Sequence, residues 1–243
     1  MREGADEQRG AVAALRAPQY PAPVVVLTVW NVVVFAAWGV APFVAAGSWT
    51  WWPGWAHLGA QLVLQLGRSV WVRRKNPALS RARQRIGEGT PAWDVAWNAL
   101  FWPLMASVAI VAGFDARTGS TLPPWTWPVG FALLAGAVAL SARAMGENPH
   151  FEGTVRVQTE REHRVIDTGP YAVVRHPGYV GLAVWALATP LLLLSAWAFV
   201  PAGVTAAWVV VRTALEDAFL RRNLRGYDAY AARVRARLVP GVW

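Results

Sequence analysis

The fold class predicted by this sequence is all-α, arranged as a multi-pass bundle of transmembrane helices. Of its 243 residues, 55% are hydrophobic and 16 are Trp, a composition too apolar for an ordinary soluble domain. Apolar runs of about 20 residues, the length that a helix needs to cross a bilayer, alternate with polar connections. Lys and Arg gather on every second connection, as the positive-inside rule requires. We therefore expect about six spans, with both termini on the cytoplasmic side.

The composition also excludes several classes of function. The formal net charge is +9, but the basic residues lie between apolar runs, where membrane topology explains them. Nucleic-acid binding is therefore not predicted. The chain contains no Cys, which excludes disulfides, thiolate metal ligands and a Cys nucleophile. No metal site is predicted.

The first part of the chain is predicted to hold a tail and four spans. Residues 1–23 mix acidic and basic side chains and end in prolines, which indicates a cytoplasmic N-terminal tail. Residues 24–145 are predicted to form four transmembrane helices, flanked by Trp residues typical of the membrane interface. The predicted bounds of these helices are 24–46, 53–72, 93–113 and 125–145.

Polar side chains follow one face of the second predicted span. His57, Gln61, Gln65 and Arg68 are spaced at i, i+4, i+8 and i+11, so they lie near one side of a helix. One interpretation is a polar seam that packs against neighbouring helices through hydrogen bonds. The other is a wall of a substrate cavity, because intramembrane polar groups often have a function. The sequence leaves both open.

A basic loop is predicted at 73–92, between the second and third spans. It carries six Lys and Arg residues against the single acid Glu88, which places it in the cytoplasm. Gly87 and Gly89 within it have the outline of a dinucleotide-binding turn. That interpretation is rejected, because no strand precedes the glycines and Pro91 interrupts the pattern.

Residues 146–243 are predicted to form the functional region. Two apolar runs within 177–211 are separated only by Ser195, which predicts a tight helical hairpin with Trp197 near its tip. An Arg-rich amphipathic tail follows, and such a segment usually lies on the membrane surface. The tail and the stretch before the hairpin are expected to form a cytoplasmic cap over the bundle.

The stretch from His163 to Gly181 is the most informative part of this region. Gly169-Pro170 indicates a turn, and Pro177 suits the first position of a helix. Unpaired backbone N–H groups and the helix dipole at that end favour anionic or polar ligands beside Arg175. The hairpin returns the chain to the same membrane face at Arg212.

Arg212 and Glu216 are four residues apart and share one side of a helix. They are interpreted in two ways. The first is a simple ion pair worth about 0.2–0.5 kcal/mol. The second is a role in ligand binding, because charges are costly at the end of a hydrophobic span.

These motifs together resemble a known family. Gly169-Pro170-Tyr171, Arg175-His176-Pro177-x-Tyr179-x-Gly181, Arg212-x-x-x-Glu216-Asp217 and Tyr227-x-x-Tyr230-x-x-x-Val234 occur in this order. They are similar to the isoprenylcysteine carboxyl methyltransferase family of membrane enzymes. The resemblance covers the chain from about Gln158 to the C-terminus. Asp217 stands where the family usually has a second Glu.

The resemblance implies a site for S-adenosylmethionine, held between the loop before the hairpin and the acidic residue after it. It implies that Arg212 orients the substrate, and His176 is the candidate for a catalytic base. By position, the implied cofactor-binding residues are Gln158, His163, Arg164, Val165, Ile166, Tyr171, His176, Pro177, Gly178, Tyr179 and Glu216.

The predicted function is therefore methyl transfer from S-adenosylmethionine to a lipophilic or small acceptor, most simply a carboxylate or a thiol. An anionic acceptor needs no strong base, so catalysis would rest on positioning. The Ala- and Arg-rich composition is typical of a bacterial protein, which predicts the bacterial cytoplasmic membrane with the active site on the cytoplasmic side.

Three alternatives remain at this point. A phospholipid amine N-methyltransferase would need a base, for which His163, His176 or Glu216 are candidates. An NADPH-dependent oxidoreductase similar to sterol reductases resembles the family in its C-terminal region. A transporter or partner-binding membrane protein is disfavoured, because few polar groups are predicted at mid-membrane.

Overall fold

The structure of this protein is a computed structural model. It describes residues 38–82, 89–119 and 122–243, and for residues 80–82 it describes the backbone. Within these ranges the secondary structure is helical throughout, which confirms the predicted all-α class. The α-helices are α1 (Ala41–Ala46), α2 (Trp52–Lys75), α3 (Pro77–Ala82), α4 (Ala92–Ala116), α5 (Thr126–Glu147), α6 (Pro177–Leu192), α7 (Phe199–Asn223) and α8 (Tyr227–Arg233). Short 3₁₀ turns occupy Thr159–Arg161 and Gly169–Ala172.

Among the described residues, three helices are long and apolar enough to cross a membrane, namely α4, α5 and α7. This supports an integral membrane protein. Helix α6 is apolar but has 16 residues, which gives about 24 Å against a hydrocarbon core of about 30 Å. Helix α2 is long, with 24 residues, but more polar. Most of the first predicted span, 24–46, and all of the tail at 1–23 lie outside the described residues, so the count of six remains a prediction.

The N-terminal end of α6 is held in place by close packing against α5. A Cβ atom on Gly181 would lie 2.3 Å from the Ser141 hydroxyl and 2.8 Å from the Ala137 carbonyl oxygen. Only glycine permits this approach, so Gly181 serves helix packing. Helix α6 in turn packs against α7, and α7 packs against α4. The site described below lies where α4, α6 and α7 meet.

Helices α6 and α7 form a tight hairpin whose turn is longer than the sequence predicts. The turn spans 193–198, with Leu194 in the left-handed region at φ 58°. The Ser195 hydroxyl accepts a hydrogen bond from the Ala198 amide at 3.2 Å, and Trp197 is exposed at the tip. Helix α7 continues to Asn223, well past the expected end at residue 211. Arg212 and Glu216 therefore lie on the same continuous helix as the second arm of the hairpin.

The C-terminal tail folds back onto the protein. The Arg175 and His176 amides donate to the carbonyl oxygens of Ala236 and Arg237, at 2.9 and 3.1 Å. Tyr230 is buried, and its hydroxyl donates to the Tyr171 carbonyl oxygen at 2.8 Å. Buried aromatic side chains therefore anchor this part of the tail to the loop before α6. Its place on the membrane surface stays a prediction.

The predicted basic loop 73–92 is partly helical. Helix α2 runs through Lys75 and α3 begins at Pro77. Asn76 joins them, and its side-chain amide donates to the carbonyl oxygens of Met145 at 3.0 Å and Asn148 at 3.3 Å. This contact holds the C-terminal ends of α2 and α5 together. Residues 83–88, which include Gly87, lie outside the described ranges.

Candidate active site

A tyrosine and a glutamate from the two arms of the hairpin meet at the centre of the site. Pro177 begins α6, so Tyr179 lies in its first turn, and Glu216 lies in the C-terminal part of α7. The Tyr179 hydroxyl donates a short hydrogen bond to a Glu216 carboxylate oxygen. His176 Nδ1 lies 3.9 Å from the other Glu216 oxygen. The structure thus brings together three of the residues that the resemblance implied.

Arg212 joins this group from one turn earlier in α7. Its guanidinium carbon lies 4.3 Å from the centre of the Trp97 ring and 5.4 Å from that of Tyr179. Its Nη2 lies 2.8 Å from Asp94 Oδ1 and donates to the Gly153 carbonyl oxygen at 2.9 Å. Among the described residues its ion-pair partner is Asp94, so the simple Arg212–Glu216 pair considered from the sequence is not formed.

Asp94 is a functional candidate that the sequence analysis missed. It is fully buried in the first turn of α4, and its Oδ2 accepts a hydrogen bond from the Val155 amide at 2.8 Å. Its position as a single acid at the start of an apolar run was the available signal, because a buried carboxylate at a membrane boundary requires a cation. Arg212 Nε makes no hydrogen bond among the described residues, which leaves one buried donor at the site.

Asp217 has a different environment from its neighbour Glu216. Its buried carboxylate accepts two hydrogen bonds from Arg175, at 2.7 and 3.1 Å. Arg237 donates at 3.0 Å and Tyr227 at 3.0 Å. Arg175 also donates to two carbonyl oxygens of the tail. Asp217 therefore ties the tail to the hairpin, and Arg175 is committed to these contacts rather than free for an anionic ligand.

His176 lies between the two carboxylates. Its ring is buried, and Nε2 lies 3.4 Å from Asp217 Oδ1 and 3.2 Å from the Tyr227 hydroxyl. Its ring also stacks on Tyr179, with 5.7 Å between centres and 20° between planes. Nε2 of His176 faces Asp217 and Nδ1 faces Glu216. His176 therefore connects the hydrogen bonds around Asp217 to the Tyr179–Glu216 pair.

The loop between α5 and α6 contains a second, self-contained group. Gln158 is buried; its amide donates to the His150 carbonyl oxygen at 2.8 Å, and its oxygen accepts from Arg161 at 2.9 Å. The His150 and His163 rings stack at 4.3 Å. Burial lowers the pKa of His163 to about 4 and lowers the pKa of His150 as well, with nearby cations adding to both effects. His163 is thus neutral, and its Nδ1 accepts a hydrogen bond from the backbone N–H of Gln158 at 3.3 Å.

Other predicted cofactor residues pack against the protein. Tyr171 is buried, which raises the pKa of its hydroxyl well above the ordinary value, and Asn148 donates to that hydroxyl at 3.3 Å. Val165 packs against the buried tail residues. A Cβ atom on Gly178 would lie 2.4 Å from the Phe151 ring, so this glycine allows ring contact.

Two residues of the predicted set remain. Arg164 is exposed, with no hydrogen bond or ion pair among the described residues, and Ile166 is partly buried. The predicted set therefore divides into a converging group and a supporting loop. The converging group comprises His176, Tyr179, Arg212 and Glu216.

The fold and this site define a helical membrane protein with a charged, largely buried site at one end of a helical hairpin. Residues 132–222 match the isoprenylcysteine carboxyl methyltransferase (ICMT) family, which confirms the predicted resemblance. The matched segment contains α6 and most of α7 with all four converging residues. It begins within α5, earlier than predicted, and it ends before Tyr227, so the tyrosine motif of the tail lies outside it.

Curated proteins with related sequences bear names from the same family. A probable protein-S-isoprenylcysteine O-methyltransferase of Oryza sativa subsp. indica is 30% identical over 113 residues, covering 44% of this chain and 56% of the relative. Protein-S-isoprenylcysteine O-methyltransferase B of Arabidopsis thaliana is 28% identical over 106 residues, covering 42% and 53%. The protein-S-isoprenylcysteine O-methyltransferase of Schizosaccharomyces pombe is 37% identical over 68 residues, 28% of each chain. The chain thus spans about half the length, or less, of these relatives.

Proposed function

We propose that this protein is a membrane methyltransferase that transfers a methyl group from S-adenosylmethionine to the carboxylate or thiolate of a lipophilic acceptor. The observation that carries the proposal is the convergence of Tyr179, Glu216 and Arg212 inside the segment that matches the family. The names of the curated relatives support methyl transfer over reduction.

The residues present fit the cofactor. S-adenosylmethionine carries hydroxyl groups and an ammonium group that require acceptors, and a carboxylate that requires a cation. The Glu216 side chain is 21% exposed and bonded on one side only, by Tyr179, so it retains acceptor capacity. Arg164 is an exposed, unpaired cation in the preceding loop. Glu216 would hold the hydroxyl or ammonium groups, and Arg164 the carboxylate.

When bound, S-adenosylmethionine would supply an electrophilic methyl group, with S-adenosylhomocysteine leaving as a neutral thioether. A carboxylate acceptor would then become a methyl ester, and a thiolate acceptor a methyl thioether. Neither case requires proton removal. Arg212 contributes an unpaired, buried N–H donor, which would orient the acceptor. Its contacts with Asp94 and Trp97 hold it rigid, which favours catalysis by positioning.

His176 is better suited to positioning than to acting as a base in this reaction. Both ring nitrogens face protein groups, since Nε2 lies near Asp217 and Tyr227 and Nδ1 faces Glu216. A base must reach the proton that it removes. This favours an anionic acceptor over a phospholipid amine, which would have to lose a proton.

The proposal includes a location and a division of the chain. We assign residues 1–23 to a cytoplasmic tail, 24–145 to membrane helices and 146–243 to the catalytic region, with the active site and both termini on the cytoplasmic side of a bacterial membrane. Basic residues at the ends of α2 and α7 support this orientation.

The test is calorimetric binding of S-adenosylhomocysteine, the product form of the cofactor, to protein purified in detergent. We expect Glu216→Gln and Tyr179→Phe to weaken binding about tenfold or more, which is about 1.4 kcal/mol. Glu160→Gln, at an exposed acid in the same region, is the matched control and should bind like the wild type. Binding of NADPH in place of S-adenosylhomocysteine would overturn the proposal in favour of the oxidoreductase.

A further inference from the structure

The polar face of α2 contributes to a buried cluster of side chains, several of whose donor and acceptor atoms lack hydrogen-bond partners among the described residues. We define the intramembrane polar cluster as Trp38, His57, Gln61, Gln65 and Trp185. His57 is 2% exposed and Gln61 is 6% exposed. Among the described residues, both His57 ring nitrogens, Gln61 Nε2, Gln65 Oε1 and the indole nitrogens of Trp38 and Trp185 have no hydrogen-bond partner.

This arrangement does not fit a simple packing seam. A seam would join helices through hydrogen bonds, but the side-chain hydrogen bond that the described residues form within the cluster, from Gln65 to Gln61, is 3.4 Å long and lies within one helix. A buried polar group without a partner costs roughly 1–3 kcal/mol, so several together require a reason. The cluster offers donors and acceptors side by side, which suits a ligand with a group of the same mixed character.

A row of aromatic rings connects the cluster to the candidate active site. Arg212 lies over Trp97, and successive rings then lie 4.8–6.5 Å apart between centres. The row is Trp97, Phe101, Trp102, Trp185, Trp38 and His57. Trp97 and Phe101 are buried in the protein core, whereas Trp102 is 37% exposed. An apolar chain would therefore contact the row at its exposed edge, with one end towards Arg212 and its other part towards the cluster.

We propose that the intramembrane polar cluster binds an uncharged hydrogen-bonding group, such as a hydroxyl or carbonyl, on the apolar chain of the methyl acceptor. This inference rests on the proposed function, because it assigns the second recognition point of the same substrate. The group is uncharged because no acidic or basic side chain of the described residues pairs with His57 or Gln61, and an unpaired ion is costly in the membrane.

The experiment measures binding of two matched probes to the full chain in lipid nanodiscs. The probes are farnesol, which carries a hydroxyl, and farnesene, the corresponding hydrocarbon. We expect His57→Leu and Gln61→Leu each to weaken farnesol binding by about tenfold, while farnesene binding stays unchanged. Leu62→Val, on the exposed side of α2, is the control and should bind both probes like the wild type.

S-adenosylhomocysteine binding is measured on the same samples. Retention of this binding by the α2 variants shows that they fold, and farnesol loss in those variants then supports the inference. Farnesol binding equal to that of farnesene, or unchanged in both variants, overturns it and leaves buried water as the occupant of the cluster. If farnesol behaves as expected but S-adenosylhomocysteine never binds, the proposed function fails while the ligand site stands.

Discussion

Glu216 and Asp217 are adjacent carboxylates on α7 with opposite surroundings. The Asp217 side chain is 1% exposed and accepts hydrogen bonds from three arginines and Tyr227. The Glu216 side chain is 21% exposed and accepts from Tyr179. A saturated carboxylate has no capacity left for a ligand, whereas an open one does. We therefore propose a structural role for Asp217 and a ligand-binding role for Glu216.

The largest expected effect comes from breaking the saturated carboxylate. Asp217→Asn leaves Arg175 buried without its counter-charge, and breaking a buried pair in this way costs about 3–5 kcal/mol. We expect the free energy of unfolding, measured by denaturant titration in detergent micelles, to fall by that amount. Glu216→Gln is the matched control and should change it by less than about 1 kcal/mol. Equal losses in the two variants would contradict the assignment.

The next effect concerns Asp94, which holds Arg212. Asp94→Asn should destabilise the protein by about 3 kcal/mol, because it leaves a buried guanidinium unpaired, while Asp94→Glu should retain part of the stability. Under the proposed function, the KM for the acceptor should rise in Asp94→Asn and the dissociation constant for S-adenosylhomocysteine should stay unchanged. A change confined to S-adenosylhomocysteine binding would instead place Arg212 with the cofactor.

Glu216 and Asp94 show what the sequence could and could not predict. Local signals predict the start of α6 at Pro177 and the hairpin. The order of the motifs predicts that Tyr179 and Glu216 converge. The Arg212–Asp94 pair joins residues far apart in the chain, and spacing along one helix cannot reveal such a partner.

Gln158 and Asp217 illustrate the same limit in another way. Gln158 is implied as a cofactor ligand by position, but its side chain is satisfied by His150 and Arg161 within its own loop. The role of Asp217 depends on Arg237, which reaches it because the tail folds back. Motifs identify residue types, whereas tertiary contacts decide which of those residues stay available.

The loop between α5 and α6 is expected to make stability depend on pH through His163, independently of Glu216 and Asp217. The pKa of His163 is about 4 in the folded protein, lowered by burial, against 6.5 when unfolded, so the unfolded state binds more protons between these values. Stability should therefore be constant above about pH 7 and fall as the pH drops through 6.5 towards 4. Because His163 is only partly buried, we expect a loss of about 1–2 kcal/mol.

The matched control for this prediction is His163→Gln, which cannot titrate. The slope of unfolding free energy against pH should become shallower in this variant. His150, whose pKa is also lowered, contributes to the slope that remains. A variant as acid-sensitive as the wild type would show that the titrating group lies elsewhere.

The smallest expected effects come from two Tyr→Phe variants, each of which removes a tyrosine hydroxyl that donates to one of the two adjacent carboxylates. Tyr227→Phe deletes a donor to Asp217 at 3.0 Å and should cost about 1–2 kcal/mol of stability, with S-adenosylhomocysteine binding within about twofold of the wild type. Tyr179→Phe deletes the donor to Glu216 and should weaken that binding with a smaller loss of stability. Opposite readouts from the same chemical change would separate the two roles, whereas parallel losses would mean that His176 couples the two carboxylates into one unit.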